Sequence, residues 1–204
     1  DLIKIPTINP PGTNYREICE FLSKRLKKSG FDVDIIRAKG ALADTDKYPR
    51  FNLVARHEGT YSGPCIHFNS HIDVVDTGHG WTRDPFGGSI EGDKIFGRGS
   101  CDMKGGLASS IVAAEVFISI FPKYYGAIEI SATADEETGG YGGVAWLAEK
   151  GYFNPKKVQS VIIPEPLNKD RICLGHRGVW WSEIETKGRV AHGSMPFLGD
   201  CAIR

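Results

Sequence analysis

"HFNSHIDVV", residues 67 to 75, sets a histidine and an aspartate two positions apart at the end of a β-type run. Side chains alternate along an extended chain, so residues 71 and 73 share a side and can touch. An imidazole steadied by a carboxylate suits metal binding. Taken alone, His71 reads more simply as a packed histidine at a strand end, so the surrounding chain has to decide.

Upstream, "NPPGT" is rich in turn signals, and "NYREICEFLSKRLKKSG" then spaces Ile18, Leu22 and Leu26 as one helical face. The pattern predicts a helix over 14–29, with Asn14 and Glu17 capping its start and Gly30 ending it. "FDVDIIR", with Phe31, Val33 and Ile35 alternating, "FNLVARH" and "CIHFNSHIDV" read as three strands. Downstream, residues 76–100 are Gly/Pro-rich, and 103–121, apolar nearly all round, reads as a helix packed on a sheet, with Pro122 just past its end. "AIEISATA" follows as a strand, "GGVAWLAEKGYF" as a helix and "VQSVIIPEP" as a strand. Strands alternating with helices predict an α/β fold with a mixed, mostly buried sheet flanked by helices. Near residue 176 the pattern changes. "RGVWWSEIETKG", with Val179, Trp181 and Ile184, reads as a strand, and in "RVAHGSMP" Ser194 is expected to cap a helix with Pro196 in its first turn.

The 204 residues, 41% of them hydrophobic, suffice for one substantial core. Lys plus Arg and Asp plus Glu both number 25, so no broad basic footprint for nucleic acid exists. No apolar run reaches membrane-span length. Five cysteines, odd in number and without a CxxC pair, suggest reduced thiols and a cytoplasmic location. The chain opens on "DLIKIP" without methionine and stops at "GDCAIR", so it is expected to be truncated.

Four segments deliver ligand-type residues to the carboxyl ends of predicted strands: His71 with Asp73, Asp102 before the long helix, Glu136 and Glu137 in "DEE", and Glu165 in "PEP". That edge of an open α/β sheet is the usual ligand site. Asp102, Glu136, Glu137 and Glu165 would repel one another strongly without cations. Two divalent ions, with three ligating carboxylates and a bridging hydroxide, bring the site near neutrality and leave one carboxylate free as a base. Imidazole with carboxylates favours Zn2+, with Co2+ or Mn2+ as substitutes. Which of Glu136 and Glu137 ligates is open at this level. Simpler readings stand beside these: Asp102 as a helix cap, "DEET" as a solvated loop, Glu165 as a turn residue, His192 as a surface histidine, and Cys101 as a small buried packing residue. His57 and His67 read as sheet residues and His79 as a loop residue. "GRGSCDMKGG" lacks the spacing of a phosphate loop.

Together "HIDVV", the Trp81 and "DPF" segment, "IFGRGSCDMKGG", "ADEETGG", "PEP" and "KGRVAHGSMP" resemble, in order and over nearly the whole chain, the cocatalytic zinc aminoacylase and carboxypeptidase family. That family includes acetylornithine deacetylase, succinyl-diaminopimelate desuccinylase and carboxypeptidase G. The resemblance implies a catalytic metal-binding domain over 1–175, incomplete here, and the start of a smaller α+β lid and dimerisation domain over 176–204. It implies that His71 and Glu165 bind one zinc, that Asp102 bridges both, and that Glu137 binds the second. Asp73 would orient His71, and Glu136 would be the general base. His192 would reach the substrate oxyanion in the partner's site of a homodimer, and the peptide after Asp102 would be cis. The family's last histidine ligand has no counterpart after His192. Cys201 stands where the family usually has asparagine, and Arg177 where relatives carry basic residues. The implied reaction is metal-dependent hydrolysis of an amide bond in an N-acyl amino acid or short peptide. A zinc dipeptidase, carboxypeptidase or aminopeptidase is the alternative enzyme, and an inactive binding protein on the same fold is the alternative of another class.

Overall fold

The computed structural model describes residues 1–168, 170–180 and 182–203. The chain divides into two compact units, Asp1–Pro166 and Leu167–Arg204. In the first, the strands are β1 (Asp32–Arg37), β2 (Phe51–Glu58), β3 (Tyr61–His71), β4 (Ser89–Glu91), β5 (Lys94–Phe96), β6 (Tyr125–Thr133) and β7 (Val158–Ile162). The helices are α1 (Tyr15–Lys28), α2 (Lys104–Ile120) and α3 (Val144–Glu149). Five strands form one mixed sheet in the order β1-β2-β6-β3-β7, as the α/β reading expects. The β1–β2 and β2–β6 pairs are antiparallel, whereas β6, β3 and β7 run parallel. A β4–β5 hairpin interrupts the Gly/Pro-rich 76–100 stretch, where no strand was expected. Its three-residue strands are too short to leave a periodic signature.

Helix α1 buries Ile18, Leu22 and Leu26 against β1 and β2, the spacing that predicted it. It ends as expected at Gly30, whose φ is +86°, with Gly30 N–H donating to Lys27 O and Phe31 N–H to Leu26 O. Its start differs from expectation. Asn14 is left-handed, makes no capping hydrogen bond, and donates from Nδ2 to Pro6 O at 2.9 Å instead.

Helix α2 packs on β3 and β6 through Leu107, Ile111 and Ala114, while its other face leaves Val112, Val116 and Ile120 exposed. Ile35 of β1 is likewise exposed, while Phe31 and Val33 are buried. On the opposite side of the sheet, His67, Glu129 and Ser131 are buried and hydrogen-bonded. His67 Nδ1 lies 3.0 Å from Glu129 Oε1 and its Nε2 2.7 Å from Ser131 Oγ. His57, in β2, pairs with the Tyr124 hydroxyl, so both histidines are sheet residues.

In the second unit, residues 177–188 form no strand among the described residues, and Trp181 lies outside them. Val179, Trp180 and Ile184 are exposed, because a strand requires a ladder partner and the described residues of this unit supply only an isolated Arg189–Asp200 bridge. The expected helix after Ser194 is a three-residue 3-10 turn, Pro196–Leu198, preceded by Met195 and lacking a side-chain cap. Ser194 Oγ instead pairs with His192 Nδ1 at 2.8 Å.

Candidate metal centre

His71 closes β3 and pairs in register with Thr133 of β6, and Phe68 pairs with Ile162 of β7. β3 and β6 thus end level, while β7, parallel beside β3, ends three residues earlier opposite Phe68, and the segments just past the three strands bring together Asp73, the 3-10 turn Glu136–Thr138, and Glu165. Asp102 arrives from the loop before α2. Its peptide to Met103 is cis, as the resemblance implied. Asp102 is not the helix cap. Met103 holds that position, and its Sδ accepts the His71 backbone N–H at 3.2 Å.

Two glycines let α2 approach this closely. A Cβ on Gly105 would overlap the Ser100 carbonyl oxygen, and one on Gly106 would overlap that of Pro164, the residue before Glu165. The "GG" of "CDMKGG" is thus a packing signal that seats Asp102 beside Glu165.

His71 is 2% exposed. Its Nδ1 lies 3.0 Å from the Asp73 carbonyl oxygen and 3.4 Å from Asp73 Oδ1. A proton on Nδ1 therefore leaves Nε2 as the outward nitrogen, whose lone pair becomes available to a cation once the ring is neutral. Nε2 faces Asp102 Oδ1 at 3.0 Å, Glu165 Oε1 at 3.7 Å and Glu136 Oε2 at 3.8 Å. One donor atom each from His71, Asp102 and Glu165 fall within 4.8 Å of one another, a separation a single cation can bridge. Glu137 is outside that trio but feels it electrostatically.

The acids are crowded, and their electrostatics reflect it. Burial, then the charge of Asp102, raises Glu137 to about 7. Burial also raises Glu165 to about 7, with His71 opposing and Asp102 and Glu136 reinforcing. Burial pulls His71 down, yet the hydrogen bond and charge of Asp73, with Glu165 and Glu136, carry it up to about 9. Carboxylates pushed up and an imidazole held cationic are what a negatively charged cluster does without metal. The donor set, one imidazole nitrogen and several carboxylates, fits a borderline divalent cation.

The supporting residues lie mostly outside the sequence-level expectations. Asp73, fully buried, accepts the backbone N–H of Glu136 on Oδ1 (3.2 Å) and that of Glu137 on Oδ2 (3.1 Å). Asn9 Nδ2 also donates to Oδ2, at 2.8 Å. Asp135 turns left-handed with φ +61°, a conformation aspartate tolerates, and its carboxylate accepts Arg50 Nε and the Tyr15 hydroxyl, both at 2.9 Å. Burial raises the Asp135 carboxyl despite Arg50, so this pair is an internal one. Asn9, Arg50 and Tyr15 carry no local motif; their partners Asp73 and Asp135 are 64 to 120 residues away. Cys101, expected as a buried packing residue, is exposed, and all five cysteines are free thiols. His192 lies in the second unit, bonded to Ser194.

Residues 67–197 match the model of peptidase family M20/M25/M40. A Staphylococcus epidermidis protein described as a probable succinyl-diaminopimelate desuccinylase is 35% identical over 205 residues, covering 100% of this chain and 46% of its own. The chain spans about half the length of the curated relatives it matches. An M20 family metallo-carboxypeptidase, Sso-CP2 from Sulfolobus solfataricus, superposes with a TM-score of 0.64 at 23% identity, over 80% of this chain and 35% of its own. A Bacillus subtilis protein described as a dinuclear metal-binding peptidase from the M20 family superposes at 0.55 and 18% identity, over 80% and 40%. At these identities the structural likeness speaks for the fold. The matched segment takes in His71, Asp102, Glu136, Glu137 and Glu165, and with it the chain belongs to peptidase family M20/M25/M40.

Proposed function

We propose that the full-length protein hydrolyses the amide bond of an N-acyl amino acid, of the succinylated or acetylated diamino-acid type, with two divalent cations held at the ends of β3, β6 and β7. The observation that carries this reading is the meeting of His71, Asp102 and Glu165 donor atoms within 4.8 Å, with the Glu136 carboxylate 3.8 Å from His71 Nε2. The desuccinylase description of the relatives supports the substrate class.

Two divalent cations, zinc first and cobalt or manganese as substitutes, supply Lewis acidity toward the substrate carbonyl and acidify water when bound. His71 and Glu165 would hold one, Asp102 both, and Glu137 the second. Asp73 keeps the His71 proton on Nδ1, so that Nε2 is a donor to metal. Glu136, half exposed at the turn, is free to take a proton from the attacking water and to pass it to the leaving nitrogen as the C–N bond breaks. A free amine and a carboxylate are the products.

In this reading residues 1–175 belong to the catalytic domain and 176–204 open the lid, through which two copies pair. His192 would then donate to the substrate oxyanion in the partner's site. No described helix is long and apolar enough to cross a membrane. The free thiols favour a reducing, cytoplasmic setting. The test is the full-length protein, stripped of metal and reconstituted with zinc, assayed on N-succinyl-diaminopimelate, N-acetylornithine and a dipeptide panel. Metal-dependent release of succinate or acetate is expected. Turnover confined to dipeptides, or unchanged in the metal-free protein, overturns the reading.

A further inference from the structure

The N-terminal segment looks at first like a lead-in to α1, yet it lies alongside the end of β3. Thr7 Oγ1 donates to Ile72 O at 2.5 Å, Val74 N–H to Thr7 O at 3.0 Å, and Asn9 N–H to Val74 O at 2.9 Å. Lys104, at the start of α2, pins the same segment by donating from Nζ to Leu2 O and Ile5 O at 3.1 and 2.8 Å. The residue this strap delivers is Asn9, 1% exposed.

We infer that Asn9 is a positioning residue for the metal centre, its side-chain amide clamping Asp73 to the turn that carries Glu136 and Glu137. The two Nδ2 protons have two acceptors, Asp73 Oδ2 at 2.8 Å and Thr138 Oγ1 at 2.9 Å. Asp73 on its other sides meets His71 Nδ1 and the backbone N–H groups of Glu136 and Glu137. A single amide thus ties the orienter of a ligand to the last residue of the turn bearing the base. Only an uncharged donor fits. Aspartate at position 9 would set a second carboxylate against Asp73, and an apolar side chain would leave one lone pair of a buried carboxylate without its donor. The "NPPG" turn does not itself need this amide, since both of its bonds leave the turn.

The inference rests on the metal-centre reading, so its test separates the two. In the full-length protein, cobalt(II) chloride titration followed by visible absorption gives metal affinity, and N-succinyl-diaminopimelate turnover gives kcat and KM. Asn9→Ala and Asn9→Leu are expected to weaken cobalt binding about 10–100-fold and to lower kcat over a similar range, with KM moving less than about threefold. Thr138→Val, at an exposed position that folding tolerates, is expected to give a smaller loss in both readouts, and none when added to Asn9→Ala. Native cobalt affinity and kcat in the Asn9 variants overturn the inference alone. So does a wild-type-like Thr138→Val if the Asn9 variants fail to fold. A wild-type protein that binds no cobalt overturns the metal-centre reading and this inference with it.

Discussion

His71 and Asp102 approach to 3.0 Å, Nε2 to Oδ1, although one ends a central strand and the other precedes a helix 31 residues on. The contact joins the two halves of the candidate metal centre, the strand ends and the helix start. Its physical consequence is that each group is placed by a different element, so the site can be disturbed from either side.

Removing the carboxylate of Glu136 while keeping its shape separates base from ligand. Glu136→Gln is expected to lower kcat about 10²–10⁴-fold, the range for loss of a general base, with cobalt affinity changed less than about threefold. Stopped-flow turnover and metal titration on the full-length protein measure both. A fully active variant removes Glu136 from the reaction.

Gly106→Ala tests the helix side. The added methyl meets the Pro164 carbonyl oxygen, so either α2 or the segment holding Glu165 must shift. Overpacking of this kind costs about 1–3 kcal/mol, and displacement of Glu165 should weaken metal binding about tenfold. Thermal denaturation with and without zinc reports the two effects separately.

Arg50 and Asp135 form a buried pair at 2.9 Å, each side chain under 5% exposed. Arg50→Met leaves the Asp135 carboxylate buried against Tyr15 without its cation, and a loss of about 3–5 kcal/mol is expected in urea unfolding. Arg50→Lys should retain part of it, since an ammonium supplies charge without the guanidinium fork.

A pH signature should come from the far face of the sheet. Burial raises the Glu129 carboxyl, but hydrogen bonds and charges from His67 and Arg56 outweigh it and hold the group below its ordinary 4.5. A folded-state value below the unfolded one means that its stabilisation is present above about pH 4.5 and is lost as pH falls through the lower folded value. Glu129→Gln should therefore cost about 1–3 kcal/mol at pH 7 and progressively less as pH falls below 4.5. Parallel urea titrations above and below that value check it, and an equal cost at both contradicts the assignment.

The candidate ligands were legible because each occupies a position with a local signal. Period two puts Asp73 on the side of His71, and turn residues after apolar runs mark Asp102, Glu136 and Glu165 as strand-end or helix-start positions. Asn9, Tyr15 and Arg50 were not legible. Asparagine in a proline turn and arginine before a strand are ordinary, and only partners 64, 120 and 85 residues away make them functional supports. Asn14 misled for a related reason: its identity suits a cap, while its left-handed backbone sends the amide to Pro6. The expected strand at 177–188 had the alternation but no neighbour to complete a ladder.

By itself the sequence determined the alternation of strands and helices, the helical face and glycine stop of α1, and the kinds of ligand at each strand end, because these follow from periods of 2 and 3.6 and from side-chain chemistry. The tertiary structure decided that β6 lies between β2 and β3, that β3 and β6 end level with β7 parallel alongside, and that Gly106 brings α2 onto Pro164. Those are contacts between distant segments. Their energies come from burial and register across the whole sheet, which no short window of sequence contains.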